Sequence, residues 1–343
     1  MQLSQKPFGT LTRSGDTVYE MTLTNARGTI LNVISYGATW RRFIVTDVGG
    51  VPRDLVLFFD ELSDYETNPF HLGNTIGRVA GRLANASFVL NGRRWQLEPN
   101  NHNHLLHGGA KGMDKLNWYT QAAVVNNVGM VQFSHTLSGD GFPGSIAATV
   151  TYTLNETDEV SVTFSAESDA DTLFNPMTHV YFNLADGQQT VLNHLLQINS
   201  RFHAELDTQK LPTGRWIENA GTGFDFSMPR QIGDNLNQLP CGQLDDAFLL
   251  DTKHKGAAVV LSDPASGRRL LIDSDRNAAV IFTANPYVFG QSADFANEHP
   301  DNGVAIEMQM MPDAIHHHGF GDIILPAHQK KTYRVTYRLE RGK

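Results

Sequence analysis

Disulfides and membrane spans are both missing from this sequence of 343 residues. Its one cysteine, Cys241, has no partner within the chain, and no apolar run reaches the length of a membrane helix. The first residues, Met1 to Gly9, also lack the charged segment and apolar stretch of a secretory signal. These absences favour a reducing compartment, and we expect the protein to be cytoplasmic.

Positive charge is in short supply as well. The 36 acidic residues outnumber the 27 lysines and arginines, which gives a formal net charge of −9. Because nucleic acid and anionic membrane surfaces repel a protein of this charge, we expect neither as a partner. Hydrophobic residues make up 41% of the chain, which is ordinary for a folded globular protein.

Helical patterns are scarce, and strand patterns dominate. Residues Ser145 to Leu154 and Glu159 to Glu167 alternate apolar and polar side chains, and Asn155 to Asp158 between them has the composition of a hairpin loop. One short helical candidate is Glu61 to Tyr65. The sequence therefore predicts an all-β, antiparallel architecture with long functional loops, built as a single domain over residues 1–343. The periodicity alone fits either a large sandwich or a propeller.

The densest polar segment opens with Arg78 and Arg82, four positions apart. By composition alone, each arginine is more typical of a solvated surface charge than of a ligand contact. Asn91-Gly92, which follows them between two apolar stretches, predicts a tight hairpin turn.

Three histidines, His102, His104 and His107, crowd together just before a pair of glycines. A surface loop is one explanation, whereas the neighbouring leucines and glycines favour a functional loop. The pair His102-x-His104 and the run His316 to His318 also raise the possibility of a metal site. A protein metal site needs three or four converging ligands, and the spacing offers no further support for one. The sequence has no phosphate-binding or dinucleotide motif either, so we expect neither a metal nor another cofactor.

Two further titratable residues lie in apolar surroundings. His179 is followed by Val180, Tyr181 and Phe182, and a histidine in such a stretch is more often a satisfied core residue than a catalytic one. Glu307 follows an apolar run, and burial there would raise its pKa into a range that suits a general base. An outward-facing glutamate on a strand is an equally good interpretation of that segment alone.

Taken together, these segments resemble the aldose 1-epimerase (galactose mutarotase) family over about residues 8 to 340. The motifs that carry the resemblance are Gly77-Arg78-Val79-Ala80-x-Arg82, Leu106-His107-Gly108-Gly109, Gly112-x-Asp114-Lys115, Trp118, Asp140-Gly141-Phe142-Pro143-Gly144, Thr178-His179-x-Tyr181-Phe182-Asn183-Leu184, Leu211-Pro212-Thr213-Gly214, Phe224-Asp225-Phe226 and Pro312-Asp313-Ala314. The resemblance implies a large antiparallel β-sandwich, sometimes called a supersandwich, with the sugar in an open cleft on one sheet.

The resemblance also implies roles for individual residues. Glu307 matches the general base, His179 the general acid, and His107 a second active-site histidine near the ring oxygen. Arg82 and Asp245 match ligands of the sugar hydroxyls. The implied reaction interconverts the α and β anomers of a free aldose, of the glucose or galactose type and including a disaccharide such as maltose, and it needs no cofactor.

Three positions depart from the family pattern. Gly81 stands where the family usually has asparagine, Asp246 where it has histidine, and Val280 where many members have glutamine. The acid and the base are untouched, so these changes bear on which sugar is preferred.

Two other functions on the same fold compete with this interpretation. A hexose-6-phosphate 1-epimerase would need a basic phosphate pocket, for which the chain offers the adjacent pairs Arg41-Arg42, Arg93-Arg94 and Arg268-Arg269. A non-catalytic sugar-binding module should have lost the acid or the base, and both are present. The sequence decides neither the preferred aldose nor the oligomeric state.

Overall fold

The computed structural model describes residues 1–47, 49–185, 189–253, 256–283 and 301–342, and it is built almost entirely from antiparallel strands. In chain order the strands are β1 (Gln2–Thr10), β2 (Thr17–Thr24), β3 (Ile30–Ile34), β4 (Thr39–Thr46), β5 (Pro52–Asp54), β6 (Thr75–Ile76), β7 (Arg82–Leu83), β8 (Ser87–Leu90), β9 (Arg93–Gln96), β10 (Leu105–Leu106), β11 (Tyr119–Val125), β12 (Val128–Leu137), β13 (Ile146–Leu154), β14 (Glu159–Ser168), β15 (Thr172–Leu173), β16 (Met177–Thr178), β17 (Tyr181–Phe182), β18 (Leu195–Ile198), β19 (Ser200–Leu206), β20 (Pro212–Glu218), β21 (Arg230–Gln231), β22 (Asp245–Leu250), β23 (Val259–Ser262), β24 (Arg269–Ser274), β25 (Ala278–Thr283), β26 (Val304–Gln309), β27 (Ile324–Leu325) and β28 (Lys330–Glu340).

Helices are few and short in the described residues. The α-helices are α1 (Leu62–Thr67) and α2 (Ile232–Leu236), and single 3₁₀ turns lie at Ala84–Ala86, Gly109–Lys111, Met113–Lys115, Val191–Asn193 and Ala314–His316. Neither α-helix is long enough to cross a bilayer.

Three sheets make up most of the protein. The first has five strands in the order β1-β2-β3-β4-β5, and the second has nine in the order β11-β12-β13-β14-β28-β24-β23-β18-β21. The third has six strands in the order β17-β26-β25-β22-β19-β20, and the described residues also form four separate two-stranded ribbons. The prediction of an all-β antiparallel fold is therefore confirmed, and of the two candidate architectures the sandwich is the one formed.

Local patterns in the sequence place several elements correctly. Strands β13 and β14 pair across the predicted Asn155–Asp158 loop, with Leu154 opposite Val160. Asn91 and Gly92 both have positive φ, at 52° and 74°, as a tight hairpin turn between β8 and β9 requires. The helix expected near Glu61 begins at Leu62.

One tryptophan links the three sheets in the core. Trp40 on β4 is fully buried, and its ring meets Tyr152 on β13, Tyr337 on β28 and Phe182 on β17 edge to face, at centroid distances of 6.2, 5.1 and 6.0 Å. Edge-to-face pairs of this kind each contribute about 0.5–1.5 kcal/mol beyond the burial of their area. The six-stranded sheet is thereby held against the other two on one face, which leaves its opposite face free to form a cleft.

Register on the six-stranded sheet decides which side chains meet in that cleft. Val280 on β25 pairs with Glu307 on β26 and with Ala247 on β22, so these three side chains form one row across the sheet. Asp245 pairs with Phe282, and these two residues lie two positions from Ala247 and Val280 on their strands. Because side chains two positions apart on a strand share a face, Asp245 projects into the same cleft.

Candidate active site

An open cleft with an empty volume of about 810 Å³ lies on the six-stranded sheet. Its lining residues are Pro69, Phe70, His71, Gly81, Arg82, Leu106, His107, His179, Tyr181, Leu206, Lys210, Asp245, Ala247, Val280, Phe282, Glu307, Gln309 and Pro312. All five residues that the sequence singled out as site residues are in this set. An apolar floor with a few converging polar groups is typical of a small-molecule site.

Glu307 projects into the cleft from the middle of β26. The residue is only 3% exposed, and its Oε2 accepts a hydrogen bond from Gln309 Nε2 at 3.1 Å. Burial raises the pKa of Glu307 to about 8; the negative charge of Asp245 adds to this effect, and the positive charge of Arg82 opposes it. The outward-facing alternative for this residue is thus wrong.

His179 lies between β16 and β17 and faces the same carboxylate. Its Nε2 is 3.3 Å from Glu307 Oε1, and its ring stacks on Tyr181 at a centroid distance of 5.0 Å. Burial lowers the pKa of His179 to about 3, with a further lowering from His71. Its Nδ1 is buried and finds no hydrogen-bond partner among the described residues, so a charged ring would be poorly solvated.

His107 follows β10 with a left-handed backbone, at φ 53°. His107 forms two hydrogen bonds with the backbone of Gly81. The Gly81 amide donates to His107 Nδ1 at 3.2 Å, and the Gly81 carbonyl accepts from the His107 amide at 3.0 Å. Because Nδ1 accepts, the neutral ring carries its proton on Nε2. Burial lowers the pKa of His107 well below its usual value, which keeps this neutral donor form at neutral pH.

Two cations flank a carboxylate at the other side of the cleft. Asp245 Oδ2 lies 4.0 Å from Arg82 Nη1 and 3.9 Å from Lys210 Nζ. Burial raises the pKa of Asp245, while the charges of Arg82 and Lys210 lower it. All three groups can exchange hydrogen bonds with sugar hydroxyls, and none is fully paired by the others at these distances.

Three polar cleft residues were absent from the sequence prediction: His71, Lys210 and Gln309. His71 Nδ1 lies 3.1 Å from the buried Asp114 Oδ2, and its ring centroid is 5.0 Å from that of His107 and 5.9 Å from that of His179. Lys210 and His71 come from loops whose composition is typical of solvated turns, so nothing local distinguishes them. Gln309 offered a signal, because it stands two residues after Glu307 on a strand and must share its face.

Arg78, which lies four positions before Arg82, is a structural residue. Its side chain is completely buried, pairs with Asp140 through Nε at 2.7 Å and Nη2 at 2.9 Å, and donates to the carbonyls of Pro143 and Gly144. The surface-charge interpretation is therefore wrong for Arg78.

The other histidines do not form a metal site within the described part of the chain, where no cluster of three potential ligands occurs. His104 is buried and bonds Gln209 Oε1 through Nε2 at 2.5 Å, whereas His102 is exposed. His316 and His317 both lie beside Asp313, at 2.6 and 3.4 Å.

The three departures from the family pattern have separate structural settings. Gly81 has φ +71°, and a Cβ there would lie 3.0 Å from Pro312 Cβ, so the backbone conformation and the close approach both favour glycine. Val280 presents an apolar side chain to the cleft beside Glu307. The Asp246 carboxylate accepts a hydrogen bond from the Asp245 amide at 3.0 Å.

Comparisons with known proteins find relatives over the whole length of this chain. A family model described as "Aldose 1-epimerase" matches residues 19–338. The maltose epimerase of Levilactobacillus brevis is 38% identical over 99% of this chain and 100% of the relative, and the galactose mutarotase of Bos taurus is 31% identical over 95% of each. The crystal structure of galactose 1-epimerase from Lactobacillus acidophilus NCFM superposes with a TM-score of 0.88 at 26% identity, covering 100% of this chain and 99% of that one.

Proposed function

The chain belongs to the aldose 1-epimerase family and is an isomerase that interconverts the α and β anomers of an aldose, and we propose that Glu307 and His179 carry out its two proton transfers. The observation that supports these roles is the 3.3 Å approach of Glu307 Oε1 to His179 Nε2 inside the cleft. Both side chains therefore face the same small volume. From there they can reach the C1 hydroxyl and the ring oxygen of a sugar, which are both bonded to C1.

The chemistry needs such a pair. An aldopyranose is a cyclic hemiacetal, and inverting C1 requires the ring to open. Glu307 takes the proton from the C1 hydroxyl, His179 gives a proton to the ring oxygen, and the C1–O5 bond breaks to leave a free aldehyde. Rotation about C1–C2 presents the other face of the carbonyl, and the reverse transfers close the ring as the other anomer. Each positioned transfer contributes roughly 10² to 10⁴ in rate.

In the catalytically active protonation state, Glu307 and His179 together carry one proton. Burial raises the pKa of Glu307 to about 8 and lowers the pKa of His179 to about 3, so before sugar binds this proton favours Glu307 over His179. Transfer across the Oε1–Nε2 contact produces the carboxylate and the imidazolium that the reaction uses. Arg82 favours this transfer, since its charge stabilises the carboxylate.

Above the pKa of Glu307 the pair loses its one proton and has no acid, so we expect kcat/KM to be constant through neutral pH and to fall above about pH 8. Protonation of His179 removes the base only near pH 3, far below the working range. Polarimetric initial rates between pH 5 and 10, corrected for the spontaneous reaction, measure this profile. A fall in kcat/KM as the pH drops from 8 to 6 would contradict the proposed proton state.

The remaining polar groups bind the sugar. His107 presents Nε2–H as a hydrogen-bond donor towards the ring oxygen or a hydroxyl, and Arg82 and Asp245 bind hydroxyls on the far side of the ring. Neutral His107 keeps its proton in this arrangement, which suits positioning better than acid catalysis.

A free sugar fits this cleft better than a sugar phosphate. The cleft cations Arg82 and Lys210 already lie beside Asp245, and none of the adjacent arginine pairs lines the cleft. Polarimetry on freshly dissolved α-glucose, α-galactose, xylose and maltose, with glucose 6-phosphate in parallel, tests this directly. Faster turnover of glucose 6-phosphate than of glucose would favour the phosphate-sugar alternative.

The proposed mechanism uses no metal, so exhaustive dialysis against EDTA should leave the mutarotation rate unchanged. A rate that drops on dialysis and returns with added divalent metal would indicate that the enzyme needs a metal, for which the histidine-rich segments would be the candidate ligands.

We expect a broad substrate range, because Val280 and Gly81 offer no hydrogen-bonding side chain to the cleft. A site that hydrogen-bonds a hydroxyl discriminates strongly against sugars that lack it, and an apolar wall does not. The kcat/KM values for galactose, glucose and xylose should therefore lie within a hundredfold of each other, and Val280→Gln should widen the spread. A preference above a hundredfold in the wild-type enzyme, about 2.7 kcal/mol in transition-state binding, would contradict this expectation.

A cytoplasmic location completes the proposal. The single cysteine, Cys241, is exposed and free, as is ordinary for a protein kept in a reducing compartment. Cell fractionation with immunodetection of the enzyme tests the location.

A further inference from the structure

A second cavity opens beside the catalytic cleft. It has an empty volume of about 710 Å³ and is lined by Arg82, Asn101, His102, Thr208, Gln209 and Lys210. Arg82 and Lys210 also line the catalytic cleft, so the two cavities share a boundary. We call this second cavity the outer groove.

Every residue lining the outer groove carries a side chain that forms hydrogen bonds. Asn101 and His102 come from the loop before β10, and Thr208 to Lys210 come from the turn between β19 and β20. Neutral amides, a hydroxyl and an imidazole beside two cations suit a ligand rich in hydroxyl groups and without strong charge of its own. They suit a polar ring better than an apolar one.

The two walls of the outer groove are tied together. Buried His104 bonds Gln209 Oε1 from one loop to the other at 2.5 Å, and the Arg82 Nε donates to Asn101 Oδ1 at 3.4 Å. The Asp207 carboxylate accepts hydrogen bonds from the Gln209 and Leu211 amides and fixes the turn. The groove is therefore formed before a ligand arrives, which lowers the ordering cost of binding.

The residues shared with the outer groove, Arg82 and Lys210, lie at the side of the cleft where Asp245 lies. The anomeric carbon must lie at Glu307 and His179. Asp245 lies two strands away from Glu307 on the sheet, roughly 10 Å at the usual strand spacing, and it contacts both residues shared with the outer groove. A pyranose whose C1 hydroxyl bonds Glu307 and whose opposite hydroxyl bonds Asp245 directs the carbon opposite C1 towards Arg82 and Lys210.

From this geometry we propose that the outer groove is a subsite for the second ring of a reducing disaccharide joined through the hydroxyl opposite C1, as in a 1,4-linked glucose disaccharide. The reducing ring occupies the catalytic cleft, and the other ring lies between His102 and Thr208. This inference rests on the proposed function, because it takes Glu307 and His179 as the site of C1.

Blocking the outer groove tests the subsite. Thr208 lies on an exposed turn, makes no hydrogen bond of its own to the cleft residues and has no positive φ, so Thr208→Trp fills the groove without disturbing the backbone. Thr208→Ser is the matched control, since it keeps the hydroxyl and adds no bulk. His102→Asn shortens the opposite wall with a residue that tolerates its φ of 54°.

We expect Thr208→Trp to reduce kcat/KM for maltose at least tenfold while kcat/KM for glucose stays within twofold of wild type. His102→Asn should reduce the maltose value by about threefold, and Thr208→Ser should change neither. Retained glucose turnover shows that each variant is folded.

Other results overturn the subsite. Equal losses on maltose and glucose, or no loss on maltose with Thr208→Trp, place the second ring elsewhere. A wild-type enzyme that turns over glucose and not maltose rules out the subsite and leaves the proposed function intact. A wild-type enzyme inactive on every free sugar contradicts the proposed function itself.

Discussion

Replacing Glu307 with glutamine should lower the mutarotation rate by at least a hundredfold while sugar affinity stays within about tenfold. The amide has the shape of the acid and can still bind a hydroxyl, but it cannot take the C1 proton. The buried setting of Glu307, with Gln309 donating to its Oε2, leaves little room for water to replace the missing base. Polarimetry gives the rate, and competition with a slowly opening sugar analogue gives the affinity.

A matched control for this variant exists on the same sheet. Glu218→Gln on β20 makes the same chemical change at a side chain that is half exposed and paired with Arg201 outside the cleft. It should leave the rate unchanged. If Glu307→Gln retained more than a tenth of the wild-type rate, Glu307 would not be the base.

His179→Asn should cause the second large loss, again about a hundredfold, because only water remains to protonate the ring oxygen. His107→Asn should be milder, since His107 is held in its neutral form and contributes a positioning hydrogen bond. Its main effect should be on KM, with kcat lowered by about tenfold or less. Steady-state polarimetry on both variants separates the two parameters.

The ranking of these two variants distinguishes the roles of the two histidines. A milder loss for His179→Asn than for His107→Asn would mean that His107 is the acid and His179 the positioning residue. The stacking of His179 on Tyr181 means that a fold defect must be excluded first, and circular dichroism of each variant does so.

The sequence predicted the strand architecture because its signals are local. The alternation in β13 and β14 and the Asn91-Gly92 turn each depend on a few neighbouring residues, and tertiary packing did not override them. The sandwich itself came from the family resemblance, because periodicity does not reveal which sheets face each other.

Residues that line the cleft were predicted where family motifs marked them and were missed where only tertiary contacts bring them there. His71 reaches the cleft because its Nδ1 pairs with Asp114, 43 residues away in sequence, and no local pattern encodes that pairing. Lys210 gains its position from a turn fixed by Asp207 and from Asp245 on another strand.

Arg78 and Arg82 show the limit of spacing arguments. They are close in sequence and equally polar, yet Arg78 is enclosed by backbone carbonyls and Asp140, and Arg82 faces the cleft. Gly81 between them has a positive φ, which turns the chain so that the two side chains diverge.

We propose that Glu307 and His179 act as one unit on a single shared proton, and a double-mutant comparison tests this most directly. Groups that act as a unit give grossly non-additive losses, since either one alone is of little use. The kcat/KM of the Glu307→Gln, His179→Asn double variant should therefore lie within about threefold of the slower single variant. If the two single losses instead multiply in the double variant, the two residues act independently, and the shared-proton mechanism is wrong.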